Sequence, residues 1–471
     1  MNSPHRCLSL LLLCLSLVPC AFSQPARQDP NGLAAFMNAL KQDGFDVSVG
    51  AVVPFNLAAQ WCNYVPGVED AGYSSDEPYL QVMVPKSPEH FTLNSAFKLR
   101  EDEAIVLIGL TPPPAKYFSY TPYLETRVFP DGRDDIFASL GDAVNNATIK
   151  TAVTPPFNSP VVLIFTPDQK TDARVRGALQ SAGYPEGIIN SVVFPASMLN
   201  LGFGDAADEL KILTRTAIWQ DQKAGDQYMS QPPLHVFRVT PHTPATPNPF
   251  PAPHLRIRGT GQTEMDLMIK LDQLRQGIMA ANSGLHATDI APLPMCYEGY
   301  DYIQRRVDPS QKQGYWGDIR DAFYLGVGLP EWSSSYYRIT LRDGEFLMVY
   351  GANHVATGKA TYMNINVYPS ETGKLTIGTL DDRDFPYTAS RYLPPGDPAA
   401  GLMYAYKISR SCESATNCLQ LSVPKGCTRL KLDSNTALGV FTRIYLEPAT
   451  KVGPALPETL YDRIIKFSPQ P

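Results

Sequence analysis

Proton transfer at neutral pH calls for a side chain that titrates there and is held by rigid neighbours. Outside the first 23 residues the chain has six histidines, and His354 has the most suggestive setting. It lies in Gly351-Ala352-Asn353-His354-Val355-Ala356-Thr357-Gly358-Lys359, a polar, glycine-bracketed connection between two strand-like runs. Loops held by strands often carry functional side chains, so the sequence predicts His354 as a proton shuttle, with Asn353 on the substrate and Lys359 holding an anionic group. The bland alternative is an imidazole bonded to a backbone carbonyl. Asp142, in a Gly-Asp turn before Asn145 and Asn146, is the candidate orienting acid, with a cap for the next element as the plainer and favoured account.

A second constellation concerns binding. Tyr300, Arg305 and Arg306, followed by Trp316, set aromatic faces beside guanidinium groups. That composition suits stacking on a sugar or aromatic ligand and pairing with a carboxylate. It suits an amphipathic core edge equally well.

Other chemistries find little support. No nucleophile elbow, phosphate loop, dinucleotide loop or H-E-x-x-H motif is present, so no cofactor is expected. His235, His242 and His254 are spaced by 7 and 12 residues, unlike a metal pair on one strand or helix, and no metal is expected either. Asp381-Asp382-Arg383-Asp384 reads as a solvated turn. With 40 Lys+Arg against 46 Asp+Glu and no basic block, nucleic acid is not an expected partner. The chemistry left standing is general acid-base catalysis of a hydrolase or lyase type on an extracellular substrate. The rival is a non-catalytic binder of a carbohydrate or apolar metabolite. Neither reading fixes an oligomeric state.

An extracellular address is predicted from residues 1–23, where a short polar start precedes the apolar run Leu8–Val18 and the small-x-small site Ala21-Phe22-Ser23. Such a signal peptide would leave 448 residues with a charge of −7 and five cysteines. No other stretch reaches the ~18 apolar residues of a membrane span. In an oxidising compartment Cys412, Cys418 and Cys427 read as local disulfide partners, and Cys62 with Cys296 would link the two halves. Asn146-Ala147-Thr148 is a glycosylation sequon for a eukaryotic host.

Positioning these groups requires a scaffold. Six prolines in 241–253 exclude helix and central strand, which divides the chain into 24–240, a linker, and 254–471. Helices are predicted from about Pro30 to Gly44, Asp172 to Ala182, Ala206 to Met229, Thr263 to Asn282 and Glu458 to Phe467. Strands are predicted at 79–84, 91–99, 104–109, 116–129, 161–166, 359–368, 375–379, 402–409, 419–423 and 438–446, with an Asp343-Gly344 hairpin joining 337–342 to 345–350. An aromatic strand followed by an Asp-Gly turn occurs in both halves, which shared turn chemistry can produce without duplication. The class expected is α+β, with two domains built mainly on antiparallel sheet beside packed helices.

Overall fold

The computed structural model describes residues 30–55, 62, 78–295, 299–304, 314–328, 338–370 and 375–470. The predicted leader, Cys296, Arg305 and Arg306 lie outside the described residues.

The protein is mostly β-sheet. The chain opens with α1 (Pro30–Gln42), then β1 (Phe45–Val49), β2 (Ala51–Phe55), β3 (Tyr79–Pro85), β4 (Leu93–Asn94), β5 (Ala104–Leu110), β6 (Ala115–Phe129), β7 (Gly132–Ser139), β8 (Val144–Asn145) and β9 (Pro160–Thr166). Next come α2 (Gln169–Ser181), β10 (Ile189–Val193), β11 (Glu209–Trp219), α3 (Gln222–Ser230) and β12 (Leu234–Pro241). The second half holds α4 (Met268–Ala281), β13 (Leu285–Ile290), β14 (Leu293–Pro294), α5 (Gly299–Gln304), β15 (Ala322–Val327), β16 (Phe346–Ala352), β17 (Tyr362–Pro369) and β18 (Gly378–Asp381). It closes with β19 (Met403–Ser409), β20 (Cys418–Gln420), β21 (Leu438–Tyr445) and β22 (Arg463–Pro469).

These strands form two copies of one pattern. In the first half one sheet runs β1-β12-β5-β9-β10 and the other β2-β3-β11-β6-β7; in the second half the orders are β13-β22-β16-β19-β20 and β14-β15-β21-β17-β18. If β4 and β8 are set aside, each strand has a counterpart of the same rank and neighbours. Even the parallel pairs correspond, β9 with β10 and β19 with β20.

Side chains repeat with the strands. Leu99-Arg100-Glu101-Asp102-Glu103 precedes β5, and Leu341-Arg342-Asp343-Gly344-Glu345 precedes β16. Glu103 takes Arg238 and Thr240 of β12, whereas Glu345 takes Lys466 at 2.9 Å and Ser468 Oγ at 2.9 Å from β22. In both copies the glutamate also accepts the backbone N–H of the arginine three residues earlier, at 2.8 and 2.7 Å.

Several predicted elements stand corrected. Residues 206–229 are strand β11 and helix α3 rather than one helix. All eleven residues of β11 are buried, because the strand is covered on both faces and so lacks the alternation of a half-exposed strand. Leu210 enters the first unit's core while Leu213 and Ala217 point away from it. The Asp343-Gly344 turn forms, yet the described part of the predicted partner strand, 338–342, does not pair with β16, both edges of which are taken by β19 and β22. Ile339 instead bridges Leu438 of the other sheet. The C-terminal helix is strand β22, closed in by β13 and β16. The strand over 91–99 reduces to β4 and that over 419–423 to β20.

The proline-rich stretch runs along the first unit as extended chain. Ala245 N–H donates to Asp102 Oδ2 at 2.8 Å, and Phe250 N–H to the Pro167 carbonyl at 2.8 Å.

Candidate functional site

Two buried polar regions compete for the role. The first surrounds His354, which the structure places in the interior with no exposed surface. Glu264, just before α4, holds the imidazole Nδ1 at 2.9 Å from both carboxylate oxygens. The same carboxylate accepts the Thr357 hydroxyl and, at 2.9 Å, the Leu460 N–H. Asp462 Oδ1 stands 3.9 Å from Nε2. A methyl group on Gly351 would fall 2.3 Å from that oxygen, so the approach needs glycine there. Burial pushes the His354 pKa down, but Glu264 and then Asp462 outweigh it and leave the ring above the ordinary imidazole value. Lys359 is bound at 2.8 Å to Glu447 and at 2.6 Å to Glu458. Asn353 Oδ1 accepts the Ala356 N–H within the turn. Together these contacts clasp α4, the β16–β17 connection and the segment before β22.

Asp142 has other partners than His354. It takes Arg256 N–H at 2.6 Å and Arg320 Nε at 2.9 Å, tying the chain after the proline-rich stretch to the loop after β7. Tyr300 is buried in the first unit's core, with its hydroxyl 3.4 Å from the Pro253 carbonyl. Trp316 sits in a turn, at φ 55°. The sequon nitrogen of Asn146 donates to the Lys116 carbonyl at 3.3 Å. Cys412 pairs with Cys418, inside the local stretch expected. Cys62 pairs with Cys427 rather than with Cys296, so the link between the halves lands on the loop before β21.

The second region is the seam where the β3-β11-β6 face of the first unit meets the β15-β21-β17 face of the second. A strand buried on one face and bearing polar groups on the other directs every second residue to the seam. On β6 these are Tyr117, Ser119, Thr121 and Tyr123; on β17 they are Tyr362, Asn364, Asn366 and Tyr368, all buried. Arg215 of β11 pairs in register with Ser119 and with Tyr79 of β3, as Arg443 of β21 pairs with Asn364 and with Tyr324 of β15. Each arginine donates Nη2 at 2.9 Å to the hydroxyl of its own unit's tyrosine, Arg215 to Tyr123 and Arg443 to Tyr368.

The units interlock here. Arg215 Nη1 donates at 3.2 Å to Tyr445 of the second unit, and Nη2 to the Gly317 carbonyl in the turn that carries Trp316. The Tyr117 ring lies 4.9 Å from that of Tyr445, and its hydroxyl donates at 2.9 Å to Asp321. Burial pushes the Asp321 carboxyl up to about 6, against the hydrogen bonds from Asn145 and Tyr117. Tyr117 and Tyr123 are likewise pushed up by burial, so both phenols stay neutral.

None of the seam residues except Trp316 is singled out by the sequence reading. A helix over 206–229 conceals Arg215, because it sends that side chain to a helical face instead of opposite Tyr79. The available signal is the recurrence of Tyr-x-Ser-x-Thr-x-Tyr at 117–123 as Tyr-x-Asn-x-Asn-x-Tyr at 362–368. Among the described residues no three His, Cys, Asp or Glu side chains are grouped to hold a metal ion, and no helix is long and apolar enough to cross a membrane.

No family model and no curated protein sequence matches the chain. Among solved structures it is similar to the VPA0106 protein of Vibrio parahaemolyticus, at 10% identity and a TM-score of 0.39, over 91% of this chain and 96% of that one. A truncated AlyQ with CBM32 and alginate lyase domains follows at 10% identity and a TM-score of 0.14, over 90% of this chain and 100% of that one. Likenesses at these scores carry neither fold nor function across.

Proposed function

We propose that this is a secreted, non-catalytic binding protein that holds a small polar molecule, a carbohydrate or similar metabolite, at the seam between its two β units. The observation that carries the reading is the seam's chemistry. Two facing sheets present tyrosine rings, hydroxyls, amides and guanidinium groups to each other where packing alone would favour aliphatic side chains. Rings supply stacking faces, and the hydroxyl, amide and guanidinium groups supply the directional donors and acceptors that a polyol or sugar acid requires. A signal-like leader and two disulfides support an address outside the reducing cytosol.

The hydrolase or lyase reading rests on His354 and has less support. The contacts of His354 join segments of the chain to one another, Glu264 on Nδ1 being bonded in turn by Thr357 and Leu460. Thermal unfolding against a panel of sugars and small metabolites, with each compound assayed for consumption, tests the proposal. Stabilisation without turnover is the expected result. Turnover that disappears in His354→Gln would restore the catalytic reading.

A further inference from the structure

Arg215 is buried without a direct ion pair among the described residues. It is 4% exposed, and among the described residues no carboxylate lies within 4.0 Å of it. Its three hydrogen-bond partners, Tyr123, Tyr445 and the Gly317 carbonyl, are all neutral, and its Nε–H has no acceptor. A guanidinium cannot shed its proton to escape that cost. The nearby acid Asp318 acts on it only through space, its direct hydrogen bonds coming from Ser139 N at 2.7 Å, Ser139 Oγ at 3.0 Å and Gly299 N at 3.2 Å. Two other buried arginines have direct carboxylate partners. Arg238 grips Glu103 through Nε at 3.0 Å and Nη2 at 2.6 Å, and Arg320 holds Asp142 at 2.9 Å.

A buried cation with no carboxylate in direct contact among the described residues is suited to take a counter-ion from a ligand. We infer that the seam's ligand carries an oxyanion, a carboxylate or phosphate group, and that Arg215 binds it through the open Nε–H. The neutral tyrosines then stack on or hydrogen-bond the remainder of the molecule. This inference rests on the binding function proposed above and adds the charge of the ligand to it. Direct access to Arg215 is covered by the turn of Trp316 and Gly317, whose carbonyl is one of the three partners, so the ligand group competes with that carbonyl for the guanidinium.

The full-length protein, purified after secretion, is unfolded thermally in low millimolar succinate, citrate, glucuronate or inorganic phosphate. Glucose and maltose serve as neutral probes, and sodium chloride matches ionic strength. At such concentrations general salting-out stabilisation is small. The expected result is a rise of about 2 °C or more with at least one oxyanion. The carboxylates and phosphate separate the two sources of that group. Arg215→Leu should abolish the rise, and Arg215→Lys, which keeps the charge but loses Nε and the planar fork, should weaken it strongly and serves if the leucine variant does not fold. A rise with neutral sugars alone overturns the oxyanion and leaves the binding function intact. No rise with any probe sinks both. An equal rise in wild type and variant places the anion away from Arg215 and overturns the inference.

Discussion

The clasp around His354 and the seam around Arg215 are both buried and both polar, but their charges are handled in opposite ways. At the clasp, Glu264 faces His354 and two glutamates face Lys359, with a threonine hydroxyl and backbone N–H groups taking up remaining carboxylate valences. At the seam, a permanent cation is surrounded by neutral phenols and a carbonyl. Directly paired charges fix how chain segments meet, although His354 Nε2 and the oxygens of Asp462 find no hydrogen-bond partner in the clasp. A guanidinium held only by uncharged partners keeps a cost in the folded state that an anion from a ligand would relieve. Burial alone therefore does not separate the two regions; direct pairing of charge does.

The contrast can be broken at either end. The largest effect should come from Glu264→Ala, which strands the imidazole and the Leu460 N–H and should cost about 3–5 kcal/mol in denaturant unfolding. Cys62→Ser should follow. It opens a bridge between residues 365 apart that fastens one unit to the other, and a loss of roughly 2–5 kcal/mol is expected under non-reducing conditions. Arg215→Leu should change unliganded stability by only about 1 kcal/mol, because the lost hydrogen bonds are offset by removal of a buried charge. A loss as large as that of Glu264→Ala would make the seam a second clasp and end the distinction.

The smallest effect is in pH. A histidine whose folded pKa is raised stabilises the protein fully below its unfolded value, about 6.5, and loses that contribution as pH climbs through the folded value. Melting temperature should therefore decline as pH rises above neutrality. Replacing His354 by glutamine should remove that part of the slope, and an unchanged slope would show that the ring is not charged in the clasp.

Local pattern made part of this molecule legible. Pro30 opens α1 and Gly44 follows it, Pro130-Asp131-Gly132 joins β6 to β7, and the β-branched run 160–166 is a strand. His354 stands out in the sequence, yet its partner is hidden, because Glu264 lies 90 residues away and no spacing rule brings the two together. The repeat is hidden for a related reason. Aromatic runs with an Asp-Gly turn suggest aligning β6–β7 with the strands around Asp343, whereas the sheets align β6–β7 with β17–β18. Few residues persist between the copies, and some that do, such as Glu103 with Glu345 and Arg215 with Arg443, are recognised only once strand order is known.

By itself the sequence determined the material: a β-rich chain, cysteines suited to bridges, and no basic tract. Tertiary structure alone decided which residues form a site. Strand β11 is buried on both faces, so its periodicity carries no strand signal and its arginine looks helical. Whether a charge is balanced depends on what lies within a few ångströms across a sheet, and that distance is set by how two separately folded faces meet rather than by the order of residues in either.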